Sequence, residues 1–317
     1  MKKLLTILLL TALLFSCAVC EEAAPVQEIA FADFSGKFAD KFLLPGSEPI
    51  ATENSYQSED VNFTISTRRV SNSDVYVVDI YVRTVECFMR GHAGNKYGKA
   101  TAKIKELAAN RDALVAMTGD SGHYFTKGWA ISNGVINKST PNRLRDIAIL
   151  YKDGVMVGIP NEDVDNAQIR ADADAGKIWH LFLFGPSLLD EEGKARPKKE
   201  FEDCNVKAAN PRSVIGYYEP GHYCFVQVDG RKTKSKLEKG QKNLGIKMRD
   251  LALLMEELGC KAAYNLDGGQ SSMLWYDGAV ISTPHKGGRP VGDIVYIKDL
   301  PKETAPEATT EAEAAKD

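Results

Sequence analysis

The sequence predicts an α+β protein, a single domain built on a mixed, largely antiparallel sheet with at least two amphipathic helices. Short β-branched and aromatic runs recur through the middle of the chain, at Val75 to Val82, Ile147 to Tyr151, Val155 to Ile159, Trp179 to Phe184, Ser213 to Tyr217 and Tyr223 to Val228. Turn dipeptides punctuate them, with Asn133-Gly134 and Asp153-Gly154 each lying between apolar runs, the strongest short-range hairpin signal. Helical spacing stands out in two places. Leu251, Leu254, Met255 and Leu258 follow the i, i+3, i+4, i+7 pattern ahead of Gly259, and Ile104, Leu107 and Ala108 form a shorter stripe ending at Asn110.

From the N-terminus, Lys2 and Lys3 precede an apolar segment from Leu4 to Phe15, the layout of a signal peptide over residues 1–16. At that length the segment falls short of the ~20 residues a spanning helix needs. The chain is therefore expected to be exported. Leu14-Phe15-Ser16-Cys17 resembles a bacterial lipobox, which would make Cys17 the lipidated first residue and anchor the protein to the outer face of the membrane. Cleavage near Ala18 to Cys20 would instead release a secreted protein. Residues 17–60, rich in Glu, Ala, Pro and Ser, read as a tether or irregular lead-in. Residues 61–300 form the catalytic domain, and the Thr, Ala, Pro and Glu of residues 301–317 predict a disordered acidic tail.

Each predicted helix leads into an apolar strand that runs into Gly and Asp. Ala113 to Met117 precedes Thr118-Gly119-Asp120, and Ala262 to Leu266 precedes Asp267-Gly268-Gly269. If those strands are neighbours, both carboxylates emerge at one sheet edge. The run Asn265-Leu266-Asp267-Gly268-Gly269-Gln270-Ser271-Ser272-Met273 gathers a carboxylate, two glycines and two hydroxyls at one bend. Glycines admit a ligand to main-chain N–H groups, so the composition suits a site. An ordinary hairpin turn would also explain Asp-Gly, which recurs at residues 153, 229 and 277.

Several function classes are disfavoured. A formal net charge of -3 over 317 residues gives no footprint for nucleic acid. Cys20, Cys87, Cys204, Cys224 and Cys260 are scattered without zinc-site spacing; a Cys204–Cys224 disulfide is open to them, and buried free thiols account for the rest. Gly119-Asp120-Ser121-Gly122 matches the tetrapeptide around a chymotrypsin-like nucleophile, but Arg90-Gly91-His92-Ala93-Gly94 is no match for that class's histidine motif. His92, His123, His180, His222 and His285 show no metal-ligand pairing, although His123 is close enough in sequence to Asp120 to enter a site there. Arg212, in Asn210-Pro211-Arg212-Ser213 at a strand entrance, has the planar fork that grips phosphate. The basic run Arg231, Lys232, Lys234, Lys236, Lys239 and Lys242 reads as a solvated loop able to attract an anion at long range.

Taken in order, the Val75 to Val82 strand, Gly119-Asp120, Ile131-Ser132-Asn133-Gly134-Val135, Phe184-Gly185-Pro186, Asn210-Pro211-Arg212-Ser213, Val228-Asp229-Gly230-Arg231, Asn265-Leu266-Asp267-Gly268-Gly269 and Val291-Gly292-Asp293-Ile294-Val295 resemble the phosphodiester glycosidase family. That family includes the mannose 6-phosphate uncovering enzyme and many exported bacterial proteins described as exopolysaccharide-related. The resemblance implies catalytic carboxylates at Asp267 and Asp120, with Asp229 the substitute for either. It implies substrate binding by Arg212, Arg231, Asn265, Gly268, Gly269, Ser271 and Ser272; His123 joins them only through its closeness to Asp120 in sequence. Gln270 stands where the family has a third glycine, and Thr118 where it has asparagine.

Cleaving a sugar C1–O–phosphate bond passes through an oxocarbenium-like state that a carboxylate stabilises or captures. The departing phosphate, with a second pKa of roughly 6, needs little acid assistance. The expected substrate is a sugar phosphodiester or surface glycan, with no certain cofactor; clustered Asp, Asn and carbonyl groups also suit calcium. Two other functions stay open, a non-catalytic module binding surface glycan or anionic polymer, and a glycoside hydrolase of exopolysaccharide maturation.

Overall fold

The structure, a computed structural model, describes residues 29–98, 100–121, 124–141, 145–201 and 208–302. The signal peptide with Cys17, together with Cys20, His123, Cys204 and most of the acidic tail, lies outside the described residues.

In chain order the strands are β1 (Ile50–Thr52), β2 (Ser55–Gln57), β3 (Val61–Val70), β4 (Ser73–Val82), β5 (Phe88–His92) and β6 (Val115–Thr118). Next come β7 (Gly128–Ser132), β8 (Val135–Thr140), β9 (Ile147–Tyr151), β10 (Met156–Ile159), β11 (Ile178–Phe182), β12 (Arg212–Glu219) and β13 (His222–Val228). The remainder are β14 (Thr233–Lys234), β15 (Lys242–Asn243), β16 (Ala262–Asn265), β17 (Leu274–Tyr276), β18 (Ala279–Val280) and β19 (Asp293–Ile297). Helices α1 (Ile104–Ala109), α2 (Asn166–Asp174) and α3 (Met248–Glu257) complete the regular elements above 3-10 turns.

Apart from the small β14-β15 hairpin, the strands form three sheets, in the orders β1-β2-β3-β4-β13-β12-β16, β10-β9-β11-β7-β8 and β18-β17-β6-β19-β5. Every strand pair among the described residues is antiparallel. The three sheets share one core, and each covers its outer face with one helix. Alternation along single strands makes the arrangement plain, because successive side chains point to opposite faces. On β13, Tyr223 and Phe225 enter the shared core while Cys224, Val226 and Val228 pack with Leu251 and Met255 of α3. On β19, Val295 and Ile297 face the shared core; Ile294 and Tyr296 meet Ile104 and Leu107 of α1. On β9, Ala148 and Leu150 point inward and Ile147 and Ile149 pack with Ile169 of α2. Strands buried on both faces read as the near-continuous apolar runs seen in the sequence.

Both expected hairpins form, β7–β8 around Asn133-Gly134 and β9–β10 around Asp153-Gly154. The third helix, α2, was missed for want of an apolar stripe; its local signal is Asp165, whose carboxylate caps the N–H groups of Ala167 and Gln168. Residues 29–60 differ from a free tether. Phe34 and Phe38 are buried in the shared core, and Tyr276 donates its hydroxyl to the carbonyls of Thr52 and Ser55. Four phenylalanines within twelve residues, Phe31, Phe34, Phe38 and Phe42, supply apolar surface that compensates the cost of ordering this stretch.

One expectation is overturned. The strands carrying Asp120 and Asp267 are not neighbours, because β6 lies inside one five-stranded sheet and β16 forms the edge of the seven-stranded sheet. The bend at Asp267 is likewise no hairpin turn, since it carries the chain from β16 in one sheet to β17 in another.

Candidate active site

The two carboxylates nevertheless converge, at the junction where the three sheets meet. Asp267 follows β16, Asp120 and Ser121 follow β6, and Leu183 and Phe184 follow β11. Backbone bonds stitch the junction together: the Asp267 N–H donates to the Gly119 carbonyl at 3.1 Å, and the Leu183 and Phe184 N–H groups donate to the Asp120 carboxylate at 2.8–3.1 Å. Gly119 is required there by close approach, because a Cβ would lie 2.6 Å from Asp293 Cγ.

Asp267 sits at the mouth of the junction. Its Oδ2 accepts from Ser121 Oγ at 3.0 Å and faces Arg289 Nη2 at 3.5 Å, and Arg289 Nε donates to Ser271 Oγ at 2.6 Å. Burial raises the Asp267 carboxyl above the ordinary carboxylate range, against the pull of the Ser271 and Ser121 hydroxyls and the Arg289 cation. Arg289 is about half exposed (47%) and so can also meet a ligand from solvent.

Asp120 lies deeper. It forms one arm of a closed cluster in which Arg90 Nη2 contacts Asp293 at 2.8 Å and Asp120 at 3.6 Å. Ser121 N–H and Asp120 N–H donate to the two oxygens of Asp293 at 2.8 and 3.2 Å. Complete burial pushes the Asp120 carboxyl up to about 6, opposed by Arg90. Burial works the same way on Asp293, but Arg90 and His92 outweigh it and hold that carboxyl below its usual range. Arg90 also donates to the carbonyls of Ile131 and Leu181, so one cation ties β5 to β7 and β11.

The signature bend packs tightly on its neighbours. A Cβ on Gly268 would stand 2.7 Å from the Pro211 carbonyl oxygen, and Gly269 (φ 64°) lies beneath the Arg231 guanidinium. Thr118, in the family's asparagine position, donates its hydroxyl to the Ser271 carbonyl and accepts from Met273 N–H, so it secures the bend rather than facing a ligand. Gln270 donates to the Gly288 carbonyl at 3.1 Å and holds the segment that carries Arg289.

Four residues expected at the site are turned elsewhere. Arg212 is on the same face of β12 as Val214, toward α3, and donates to the carbonyls of Ile246 and Ala208; its backbone lies against the bend, with Cα 3.7 Å from where a Cβ on Gly268 would stand. Ser272 is fully buried between sheets, bonded to Ser213 and Gln227. Asn265 donates to the Gly185 carbonyl and braces the Gly185-Pro186 segment. Asp229 is buried under residues 282–284 and accepts from Thr283 N–H at 2.8 Å; among the described residues no hydrogen bond or ion pair joins it to Asp120 or Asp267. Burial drives its carboxyl up to about 6.

Arg90, Asp293 and Arg289 are site residues that the sequence alone does not single out. Asp293 lay within a recognised motif, and Arg289 follows Gly287-Gly288 just ahead of it. Arg90 gave no signal beyond a charge inside an apolar strand. No group of three or more His, Cys, Asp or Glu among the described residues is arranged to hold a metal ion. His180 is a satisfied core histidine: burial drives it down to about 3, its Nδ1 accepts from Asn133 N–H and its Nε2 meets the Phe88 carbonyl.

Comparison with known proteins identifies the family and the fold. The chain is 31% identical over 190 residues to the SPbeta prophage-derived uncharacterized protein YomE of Bacillus subtilis strain 168, a match covering 58% of this chain and 27% of that protein, so the chain spans about a quarter of that relative. Its fold resembles the catalytic domain of zebrafish N-acetylglucosamine-1-phosphodiester alpha-N-acetylglucosaminidase, auto-inhibited by its pro-peptide, with a TM-score of 0.56 at 18% identity, covering 76% of this chain and 83% of that one. A hypothetical protein from Synechocystis also matches at a TM-score of 0.56, with 13% identity over 80% of this chain and 64% of the other. The sequence profile of the phosphodiester glycosidases matches residues 105–298, which contain Asp120, Asp267, Arg289 and Asp293. The chain belongs to the phosphodiester glycosidase family.

Proposed function

We propose that the protein is an exported hydrolase that cleaves the bond between a sugar C1 and the phosphate oxygen attached to it in a glycosyl phosphodiester. The observation that carries this reading is the Asp267 carboxylate at the junction mouth, held between the Ser121 hydroxyl and the half-exposed Arg289. An anionic diester would meet Arg289, whose planar fork can leave Asp267 for a phosphate oxygen. Asp267, released toward the sugar, then stabilises the oxocarbenium-like centre or captures it as a glycosyl ester, and in either case attack of water at C1 completes the hydrolysis. The leaving phosphate monoester accepts the bonding electrons without strong acid help, and the Arg289 cation favours the charge that develops.

Asp120 takes a different part from the acid/base role expected of it. With both oxygens occupied by the Leu183 and Phe184 N–H groups and no exposed surface, it acts through the backbone, setting where Ser121 and thereby Asp267 stand. Arg289 assumes the phosphate contact assigned in sequence to Arg212. The basic n-region and apolar h-region of residues 1–16 support export, and Cys17 supports a lipid anchor on the outer face of the membrane.

The test is a screen of the purified chain, from Ile29 onward, against an α-linked sugar-1-phosphodiester and the matching aryl glycoside, with and without chelator. Turnover of the diester that disappears in Asp267→Asn is expected. Equal turnover of the aryl glycoside would redirect the reading to an ordinary glycoside hydrolase, and binding without turnover of either would leave a glycan-binding module.

A further inference from the structure

We propose that the substrate is a polyanion carrying several phosphodiester groups along one chain, gripped on two cationic surfaces that meet at the Asp267 bend. The inference deepens the reading of that bend as the catalytic site and depends on it for the word substrate.

The first surface is the β14–β15 hairpin. Between residues 231 and 242 it exposes Arg231, Lys232, Lys234, Lys236, Lys239 and Lys242, and its one carboxylate, Glu238, is paired with Arg69 at 3.0 Å. In a chain of formal net charge -3 this is a local concentration of positive charge. The hairpin is also firmly mounted. Buried Asp74 accepts from Ser235 Oγ, Lys236 N–H and Arg69, and Lys232 N–H donates to the Asn243 carbonyl. Its root lies on the site, with the Arg231 guanidinium against Gly269 and Lys236 Nζ donating to the Ile281 carbonyl at 2.6 Å, on the segment that leads to Arg289.

The second surface borders a cavity of about 270 Å³ walled mostly by apolar groups of Ile104, Met273, Val280 and Pro290, whose only charged lining residues are Lys103, Lys105 and Arg289. Glu106 stands 3.9 Å from Lys103 on the exposed side of α1. Arg289 belongs to both this cavity and the Asp267 contact, so the cations of α1 adjoin the reacting centre.

A single phosphodiester uses one such cation cluster. Like charges held together on a rigid hairpin repel one another, and a polymeric anion relieves that repulsion while releasing its condensed counterions, which makes its binding steeply salt-dependent.

The experiment compares a linear polymer of α-linked hexose-1-phosphate units with its monomeric diester, at low and at several-fold higher salt. The polymer is expected to show a KM about tenfold or more below that of the monomer, rising steeply with salt. In the variant Lys232→Glu, Lys234→Glu, Lys239→Glu, Lys242→Glu, the polymer KM should rise about tenfold while the monomer KM moves by roughly twofold or less. Thermal melting checks that the variant is folded. Polymer and monomer responding alike, or neither responding, overturns the proposal. Calorimetric titration with inorganic polyphosphate separates the two readings. Tight, salt-sensitive binding that the variant loses, without turnover of any diester, sinks the catalytic reading and keeps the polyanion surface; equal binding by both proteins sinks the surface itself.

Discussion

Two arginine–carboxylate contacts share the sheet junction, Arg289 with Asp267 at the mouth and Arg90 with Asp120 and Asp293 beneath it. They differ in access to water. The Arg289 side chain is 47% exposed, whereas the Arg90 side chain is fully enclosed and its two carboxylates are almost so. An ion pair whose arginine is half exposed can exchange its partner for a ligand at modest cost, because water screens the guanidinium while the exchange proceeds. An enclosed cluster cannot, since every separated charge would stand unpaired in a low-dielectric interior. The mouth contact is therefore suited to binding and chemistry, and the buried one to holding three strands in register.

Substitutions at the two contacts should fail in different ways. Asp267→Asn is expected to lower kcat by about a thousandfold or more, which corresponds to roughly 4 kcal/mol of barrier, with folding stability nearly unchanged. Kinetics alongside urea denaturation read both; full turnover would remove Asp267 from the chemistry. Arg90→Met should do the reverse, costing about 3–5 kcal/mol of stability by stranding Asp120 and Asp293. A fully stable Arg90→Met protein would break the contrast.

The two arginines proposed for phosphate binding, one from sequence and one from structure, sharpen the comparison further. Arg289→Ala should raise KM for a diester about tenfold to a hundredfold, the worth of roughly 1.5–3 kcal/mol for charged hydrogen bonds, with little change in melting temperature. Arg212→Ala should leave KM nearly constant and lower stability, because the Ile246 and Ala208 carbonyls lose their donor. The opposite pairing of effects would restore Arg212 to the site.

The smallest effect is a pH dependence. Asp120 rises to about 6 in the folded protein from an ordinary 3.8, so between those values the folded state binds more protons than the unfolded state. Stability from this residue is therefore greatest at low pH and declines as pH climbs through about 6, with a slope of roughly 1 kcal/mol per pH unit at most. Asp120→Asn should remove that slope from the stability profile; identical profiles would show that Asp120 does not titrate there. Activity should instead follow Asp267, falling away on the acid side at a pH above the ordinary carboxylate range.

Much of this was legible in the residues. All six strand runs read from β-branched and aromatic residues appear as strands, two of the three α-helices announced themselves by an apolar stripe, and both hairpin dipeptides turn the chain as expected. The bend at Asp267 could be singled out because glycine and hydroxyl residues crowd it. For Arg212 the sequence specified a strand entrance beside the bend but not the partners of its guanidinium, which are the carbonyls of Ile246 and Ala208. Arg90 stayed hidden because a buried arginine is recognisable only once the carboxylates and carbonyls around it are known.

Local chemistry alone specified which segments become strands or helices, since a two-residue or near-four-residue rhythm in apolar side chains is a property of adjacent positions. It also selected the bend where ligand chemistry would be found. Which acids and bases meet there was decided by the packing of three sheets around a common core, because β6, β11 and β16 belong to different sheets and their ends converge only when those sheets dock. Burial then divided the labour: the same residue type became a carboxyl beside half-exposed Arg289 at Asp267 and a fully enclosed brace at Asp120, a difference in surroundings that no linear spacing records.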